Sequence, residues 1–440
     1  MHNHCFSCFF LIAISLLLRP ATGLGQTEST DSMTAETAAE YIPSVAMTDT
    51  TASLQSVAPA DSLPPVSTAE YRKLLRMRMD SLVADTLMET TQLGLMLWDL
   101  TDDILLYQHD ARQLLRPAST MKLLTAITAL DRLGPDYHFN TLLYYKGTIT
   151  RGQLRGDLIC VGGMDPMFDA TDMKAFAMAV RQKGITSISG RIVCDYSMKE
   201  QDKWGEGWCW DDKNPTLSAL LIDGTPMFAT ELARQLRAAG VSTAGVSTAA
   251  GKVPAGATLV AARRHSLDDV LQQMMKDSDN LYAESVYYQV AASSGNRPAT
   301  ARHAQKIETE LMQRAGLKTD AYRLADGSGL SLYNYLSAEA EVMLLRYAWQ
   351  RPVIYSHLLP SLPIAGIDGT MKKRMTDDEA CCGNVMAKTG TVSGISSLAG
   401  YLTAPDGHRL AFAIINQGIR HAADGRGFQD RLCHILCTAR

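Results

Sequence analysis

The segment from Ser119 to Leu130 constrains the fold of this 440-residue chain more than any other stretch. It reads S-T-M-K-L-L-T-A-I-T-A-L and places apolar residues on nearly every side of a helix, which predicts a helix buried in a core. Lys122 is the one charged residue of the segment. Because a buried amine is costly unless it is neutral or well paired, we expect specific partners for it.

Ser119 and Lys122 stand three positions apart, a spacing that brings two side chains to one face of a helix. A serine hydroxyl is a poor nucleophile until a neighbouring base takes its proton. A lysine can be that base when burial or a second cation lowers the pKa of its amine. The pattern predicts a nucleophile and its base, although S-x-x-K also fits an N-cap serine followed by a solvated lysine.

A second polar motif, S-D-N, occupies residues 278–280. Ser278 and Asn280 alternate with Asp279, so both side chains can point into one cleft. There Ser278 would pass a proton toward a leaving group, and Asn280 would bind a substrate amide. The same tripeptide also fits a polar loop that caps the following helix, and the sequence leaves both interpretations open.

The third motif is K-T-G at Lys388, Thr389 and Gly390, followed by Thr391. The surrounding pattern predicts an edge strand, which can pair with an extended peptide. A cation and two threonines suit a peptide that ends in a carboxylate, and we expect Lys388 to lower the pKa of Lys122. The alternative is a solvated lysine at the end of a strand.

The N-terminal segment predicts export. Residues 9–18, F-F-L-I-A-I-S-L-L-L, form an apolar run that is short for a bilayer span, and small residues follow it. We predict a signal peptide over residues 1–25, either cleaved after Gly23 or Gly25 or retained as an anchor. Residues 26–70 are acidic and rich in Ser, Thr, Ala and Pro, which predicts a disordered tether. The expected location is the periplasm, with membrane or wall association left open.

The remaining chain divides into three parts. Residues 71–140 and 261–440 carry the three motifs and predict one domain, into which residues 141–260 are inserted as a second. Strand patterns at G-L-M-L-W-D-L, at I-L-L-Y-Q-H-D and in three runs after residue 383 predict an antiparallel sheet. A helix from about Gly427 ends the chain. The expected fold class is α/β, of α+β type, with the antiparallel sheet flanked by helices.

The composition of the chain argues against several classes of partner and of metal site. Hydrophobic residues make up 46% and charged residues 20% of the chain, as in soluble globular proteins. A net charge of -4 favours neither nucleic acid nor an acidic membrane surface as a partner. Of the nine cysteines, Cys5 and Cys8 lie in the predicted signal peptide, and the others contain no Cys-x-x-Cys pair. We therefore expect no structural metal site, and the chemistry of a serine nucleophile with a lysine base requires no cofactor.

The three motifs, in this order, occur together in β-lactamases and penicillin-binding proteins. From about residue 72 to residue 440, the chain resembles the D-alanyl-D-alanine carboxypeptidase/endopeptidase family, the type-4 group of class C low-molecular-mass penicillin-binding proteins. Further stretches similar to that family are V-G-G-M-D-P at 161–166, G-W-C-W-D-D at 207–212, A-D-G-S-G-L-S at 325–331, L-P-I-A-G-I-D-G-T at 362–370 and S-L-A-G-Y-L-T at 397–403.

The resemblance implies a penicillin-binding-protein/β-lactamase-like transpeptidase fold. It also implies a serine-type D-Ala-D-Ala carboxypeptidase or DD-endopeptidase that acts on peptidoglycan stem peptides and is acylated by β-lactam antibiotics. The implied catalytic residues are Ser119 as nucleophile, Lys122 as base, and Ser278, Asn280 and Lys388. Backbone N–H groups of the nucleophile and of the second threonine after the K-T-G lysine would form the oxyanion hole.

Other implied roles concern binding. Thr389, Gly390 and Thr391, with Lys388, would hold the terminal carboxylate of the substrate. Asp212 would contact the diamino acid of the stem peptide, but it equally fits a carboxylate that stabilises its own loop. A homodimer is left open. Two other functions are also open: a serine β-lactamase, and an idle wall-binding or penicillin-sensing module.

Overall fold

A computed structural model describes residues 68–439 of the chain. Its helices are α1 (Thr68–Val83), α2 (Met121–Leu133), α3 (Ala170–Gln182), α4 (Phe228–Ala238), α5 (Leu267–Lys276), α6 (Asn280–Ala292), α7 (Ala301–Arg314), α8 (Ala338–Trp349), α9 (Pro352–Ser361) and α10 (Ala422–Thr438). Its strands are β1 (Gln92–Asp99), β2 (Ile104–His109), β3 (His138–Thr150), β4 (Gln153–Val161), β5 (Ser187–Ile188), β6 (Ile192–Asp195), β7 (Thr248–Ala250), β8 (Thr258–Ser266), β9 (Met386–Val392), β10 (Ile395–Thr403) and β11 (Arg409–Gln417). Short 3-10 turns cover Thr86–Glu89, Ala118–Thr120 and Gly369–Met371.

The described residues begin after the predicted export signal. The signal peptide predicted over residues 1–25 lies outside them, as do residues 26–67 of the predicted tether. α1 begins at Thr68, so a helix occupies the last positions of the segment that the sequence assigns to the tether. Between residues 68 and 439, no helix combines the length and the apolarity that crossing a bilayer requires.

One sheet has the order β2-β1-β11-β10-β9 and is antiparallel throughout. The strands coincide with the runs that the sequence predicts, and β9, which carries the K-T-G motif, lies at the edge. Thr391 pairs with Ser396, Ser396 with Asn416, and Asn416 with Leu93. These residues therefore mark one end of the sheet, where the first and third motifs meet.

The helix α2 lies at the centre of the helical layer. Every residue from Met121 to Leu130 is buried, as the apolar sequence predicts. Around it, α5 to α9 contribute to a single core on one face of the sheet. Gly134, with φ +82°, ends the helix in a conformation that residues with a Cβ rarely adopt.

The opposite face of the sheet is covered by α1 and α10. The prediction that the last helix starts near Gly427 was wrong, because α10 already begins at Ala422. Gly425 lies inside this helix and packs on β10, where a Cβ would come within 2.7 Å of the Ser396 Cβ. Tertiary packing thus extends the helix through a glycine that sequence propensity treats as unfavourable.

Residues 138–266 build a second sheet in the order β7-β6-β4-β3-β8, with β5 beside β4. β3 pairs antiparallel with β4 and β8, whereas β5, β6 and β7 pair in parallel. α3 and α4 pack on it around Phe168, Phe176 and Phe228, forming a core separate from that of α2. Such a separate core is what an inserted module would have, but the boundaries at residues 140 and 260 stay a prediction.

Candidate active site

Ser119 lies in the 3-10 turn that leads into α2, and its neighbours hold that turn in place. Ala118 has φ +50°, a left-handed conformation that is rare for residues with a side chain. The Pro117 carbonyl accepts hydrogen bonds from Thr120 Oγ1 at 2.7 Å and from Ser397 Oγ of β10 at 2.6 Å. The strained turn is thus held both from within and from the sheet, which fixes the position of Ser119.

The same turn packs directly on β9. A Cβ at Gly390 would approach Ser397 Oγ to 2.1 Å, the Pro117 carbonyl oxygen to 2.7 Å and the Ser119 nitrogen to 3.0 Å. Only glycine leaves the required room at this position. The glycine of the K-T-G motif therefore lets the edge strand reach the backbone of Ser119.

Lys122 is fully buried, and its amine is surrounded by oxygen acceptors. Its Nζ lies 3.0 Å from Ser119 Oγ, 2.8 Å from Asn280 Oδ1 and 2.7 Å from the Ser328 carbonyl oxygen. The two carbonyl oxygens can only accept, so they bind two N–H groups of the amine. In the neutral amine, the lone pair that remains faces the Ser119 hydroxyl, which is the geometry of a base beside a nucleophile.

Burial lowers the pKa of Lys122 to about 8, even though Asp326, Glu284 and Asp279 oppose the shift. An amine with this pKa is partly neutral near neutral pH, whereas an ordinary lysine is almost wholly charged. The shift of Lys122 is caused by burial and not, as predicted, by Lys388, whose own pKa is lowered well below its usual value by burial and then by the charge of Lys122.

The S-D-N motif fits both interpretations that the sequence left open. Asp279 is the N-cap of α6, and its carboxylate accepts the backbone N–H of Tyr282 at 3.1 Å. Ser278, with φ +61°, directs its hydroxyl toward β9, where Lys388 Nζ donates to its Oγ at 2.8 Å. Asn280 reaches Lys122 from the first turn of α6. A helix cap thus presents two polar side chains to the site.

An open cavity of about 480 Å³ lies in front of these groups. Members of the predicted set line it, namely Ser119, Ser278, Thr389 and Thr391. Thr389 Oγ1 donates to Thr370 Oγ1 at 2.8 Å, which joins the strand to the turn Gly369–Met371. The three motifs therefore share one cavity, in which the Ser119 hydroxyl lies together with the hydroxyl groups of Thr389 and Thr391 on the edge strand.

Asp212 lies apart from this group. Its side chain is exposed in the loop that follows Trp208, and it is not among the residues that line the cavity. Its backbone is held locally, because its N–H donates to the Cys209 carbonyl at 3.2 Å. The structure brings together the other predicted site residues, but not this one.

Sequence reasoning missed the loop of residues 325–331 as part of the site. Its Ser328 carbonyl binds Lys122, and Glu284 Oε1 accepts the N–H groups of Gly327 at 3.1 Å and Ser328 at 2.9 Å. Burial, and next the Asp326 charge, raise the pKa of Glu284 to about 8. The signal was an aspartate followed by alternating glycine and serine, a pattern typical of a loop that folds onto its own carboxylate.

Asp326 organises that loop. Its Oδ1 accepts the Gly329 N–H at 2.8 Å, and its Oδ2 accepts the Ser331 N–H at 2.7 Å and the Trp208 indole N–H at 2.8 Å. A Cβ at Gly329 would lie 1.8 Å from the Ala118 carbonyl oxygen, so the loop presses on the turn of the nucleophile. The loop thus fixes both Lys122 and the turn of Ser119.

Within residues 68–439, one cluster has the spacing of metal ligands: Asp99, Asp102 and His408. The His408 Nδ1 already lies 2.8 Å from Asp99 Oδ2, as in an ordinary histidine–carboxylate hydrogen bond. Asp99 pairs with Leu410 at the end of the sheet opposite to Thr391. This cluster therefore does not belong to the cavity of the three motifs.

Several known proteins are similar to this chain in sequence. The sequence profile of the D-Ala-D-Ala carboxypeptidase 3 (S13) family matches residues 75–225 and 216–438. The chain is 26% identical over 407 residues to the D-alanyl-D-alanine carboxypeptidase DacB of Haemophilus influenzae, covering 74% of this chain and 85% of that protein. It is 30% identical over 375 residues to a carboxypeptidase of Mycobacterium tuberculosis, covering 78% of this chain and 77% of that protein.

Solved structures share the fold. The crystal structure of penicillin binding protein 4 from Haemophilus influenzae matches with a TM-score of 0.74 and 24% identity, covering 80% of this chain and 98% of that one. A predatory peptidoglycan endopeptidase from Bdellovibrio bacteriovorus matches with a TM-score of 0.53 and 17% identity, covering 79% and 92%. The predicted penicillin-binding-protein-like fold is thereby confirmed.

Proposed function

The chain belongs to the D-Ala-D-Ala carboxypeptidase 3 (S13) family, as the motifs predict, and from this premise we propose how its residues carry out the reaction. It is a serine-type peptidase of the D-Ala-D-Ala carboxypeptidase kind. We assign the nucleophile to Ser119 and the base to Lys122. This assignment rests on the buried Lys122 amine, which lies 3.0 Å from the Ser119 hydroxyl and is hydrogen-bonded to two carbonyl oxygens.

In the first step, Lys122 takes the Ser119 proton while Ser119 Oγ bonds to the carbonyl carbon between two D-alanines of a stem peptide. We assign stabilisation of the resulting oxyanion to the backbone N–H groups of Ser119 and Thr391, because the Ser119 nitrogen lies where Gly390 lets the strand of Thr391 approach. The carbon–nitrogen bond then breaks. The proton held by Lys122 passes through the Ser278 hydroxyl to the leaving nitrogen, so both side chains end the step as they began it.

The second step releases the peptide. Water, deprotonated by Lys122, attacks the ester on Ser119, the bond between the acyl carbon and Oγ breaks, and Lys122 returns the proton to Ser119 Oγ. The shortened stem peptide leaves with a new carboxylate. A β-lactam forms the same ester but keeps its leaving nitrogen attached through the opened ring, so the ester persists. Slow loss of that adduct separates this enzyme from a serine β-lactamase.

Substrate contacts are assigned by position. Asn280 orients the substrate amide beside the nucleophile, and Thr389 and Thr391 offer hydroxyl groups to the terminal residue from the edge strand. Lys388 anchors Ser278 by its 2.8 Å hydrogen bond. Asp212 stays a candidate for the amine of the diamino acid, because its carboxylate is exposed. An endopeptidase reaction uses the same residues with a larger leaving amine.

The substrate places the enzyme outside the cytoplasmic membrane, where peptidoglycan lies. Export through a signal peptide at residues 1–25 stays a prediction. The chemistry assigned here uses hydroxyl, amine and backbone groups of the chain itself, without a cofactor.

The decisive experiment measures the intact mass of the full chain before and after exposure to penicillin. We expect one stoichiometric, slowly lost adduct on the peptide that contains Ser119, and release of free D-alanine from a stem pentapeptide. Ser119→Ala should form no adduct. Acylation of that variant at the normal rate would refute the assignment, and release of D-alanine without an adduct on Ser119 would also refute it.

A further inference from the structure

Two cationic side chains line the catalytic cavity without an ion-pair partner in the part of the chain that the structure describes. Lys373 follows the turn Gly369–Met371 and is exposed, whereas Arg426 lies near the start of α10 and is half-buried. The third cation of the cavity wall, Arg374, is buried and paired with Asp430. Lys373 and Arg426 therefore bring positive charge to the cavity that no carboxylate of the wall offsets.

Both cations stand beside the strand that carries the K-T-G motif. Thr370 and Thr389 are joined by a hydrogen bond of 2.8 Å, which places the segment of Lys373 next to the first threonine. Gly425 packs on Ser396, the strand partner of Thr391, and this places Arg426 next to the second threonine.

A rigid framework holds the two walls together. Arg374 donates to Asp430 and to Gln429 Oε1 of α10, the latter at 3.2 Å, and so ties the segment of Lys373 to the helix of Arg426. Gln429 Nε2 in turn donates to Ser396 Oγ at 3.0 Å. The positions of the two free cations are thus determined by buried contacts and not by surface loops alone.

Lys388 is poorly suited to supply the charge that an anionic substrate needs. It is fully buried, and its Nζ is already occupied by Ser278 Oγ at 2.8 Å and by the Thr389 carbonyl at 2.7 Å. Burial and the Lys122 charge lower its pKa well below the usual value, which favours the neutral amine. The K-T-G lysine is therefore a positioning residue for Ser278.

We propose that Arg426 and Lys373 recognise the free carboxylate at the C-terminus of the substrate, together with the hydroxyl groups of Thr389 and Thr391. This assignment rests on the proposed peptidase function and deepens it. A guanidinium can bind both oxygens of a carboxylate, so Arg426 contributes most, and exposed Lys373 adds a weaker attraction. The pair makes the enzyme select peptides that end in a free acid.

The test compares an acyl-D-Ala-D-Ala peptide with its C-terminal amide, using the full chain and measuring kcat and KM for each. Arg426→Gln should lower kcat/KM for the acid by about 10- to 100-fold, mainly through KM, and leave the amide within about twofold. Lys373→Gln should show the same pattern with a smaller change, and Arg426→Lys should restore part of the loss. Raising the salt concentration should weaken the acid preference of the wild type.

Lys372→Gln and Arg420→Gln are matched controls, because both side chains are exposed cations outside the cavity wall. Both should keep the wild-type ratio of acid to amide. Retention of that ratio by Arg426→Gln and by the double variant would overturn the assignment. If the wild type cleaves neither peptide and forms no penicillin adduct, then the proposed function itself fails, and this assignment fails with it.

Discussion

The two sheets of this protein are built around very different cores. The second sheet and its helices enclose side chains such as Phe168, Phe176 and Phe228, which are buried and apolar. The core around α2 also encloses Lys122 and Glu284, which are buried and ionisable. Burying an ionisable group costs free energy that apolar packing does not. Several buried ionisable groups close to Ser119, and not the burial of a single one, mark the candidate site, while the apolar core of the second sheet serves stability.

The largest effect should come from the two residues of the nucleophile–base unit. Ser119→Ala should abolish acylation by penicillin, and Lys122→Ala should slow it between about 100- and 10,000-fold because the base is lost. Lys174→Ala is the matched control, since this lysine is exposed on α3 beside the second sheet. The acylation rates are measured by stopped-flow or mass spectrometry. Equal rates for Lys122→Ala and Lys174→Ala would contradict the difference in role between the two regions.

The next largest effect should follow from one methyl group on the loop that supports the base. A Cβ at Gly329 would lie 1.8 Å from the Ala118 carbonyl oxygen, so Gly329→Ala must displace either the loop or the turn of Ser119. A displacement of about 1 Å at a catalytic group can cost about 100-fold in rate. We expect a loss of that order in kcat/KM for release of D-alanine.

Gly240→Ala, beside the second sheet, is the control for Gly329→Ala. It distinguishes displacement of the loop or turn from the effect of backbone strain alone. Gly240 also has a positive φ, +76°, but a Cβ there would meet nothing within 4 Å. Both variants carry a similar conformational cost of about 1–2 kcal/mol. Only Gly329→Ala should lose activity, and a matching loss in Gly240→Ala would show that strain alone is responsible.

A smaller, graded effect is expected from pH. Lys122, with a pKa of about 8, acts as a base only when it is neutral, so its active fraction grows as the pH rises. The rate of acylation should rise about tenfold per pH unit below pH 8 and level off above it. A midpoint near pH 10, as for an exposed lysine, would contradict the role assigned to burial.

Lys199 offers the control for this pH dependence. It is also buried, and burial lowers the pKa of its amine, but it donates to the backbone carbonyls of Glu200 and Asp202 and contacts no serine hydroxyl. Lys199→Met should leave the midpoint of the pH profile in place. A shift of that midpoint would mean that the profile does not report on Lys122.

Sequence and structure agree where local patterns are strong. The apolar α2 and the strands β10 and β11 are continuous apolar runs, and their burial on both sides follows from their composition. The order of the three motifs was enough to predict that Ser119, Ser278 and Lys388 meet. Their mutual geometry, in contrast, depends on a left-handed turn at residue 118 and on Ser278 with φ +61°, which propensity does not predict.

The parts that sequence reasoning missed are brought together by tertiary packing. Lys373 and Arg426 lie far apart in the chain but both line the cavity, and the ion pair of Arg374 with Asp430 ties their two segments together. Ser328 binds Lys122 through its backbone carbonyl, a contact in which the side chain plays no part. No residue pattern encodes such a contact, because every residue has a carbonyl.

The smallest effect on catalysis is expected from a cavity in the core of the second sheet. Phe176→Ala removes a fully buried ring whose centroid lies 5.2 Å from that of Phe168, and it should lower the free energy of unfolding by about 3–5 kcal/mol. The folded fraction should still be acylated at the wild-type rate.

Leu124→Ala in α2 is the matched variant in the first core. It should lower the free energy of unfolding by about 2–5 kcal/mol and also slow acylation, because α2 carries Lys122. Denaturant unfolding with acylation rates per folded molecule tests both, and a slowed Phe176→Ala would mean that the second sheet takes part in positioning the site.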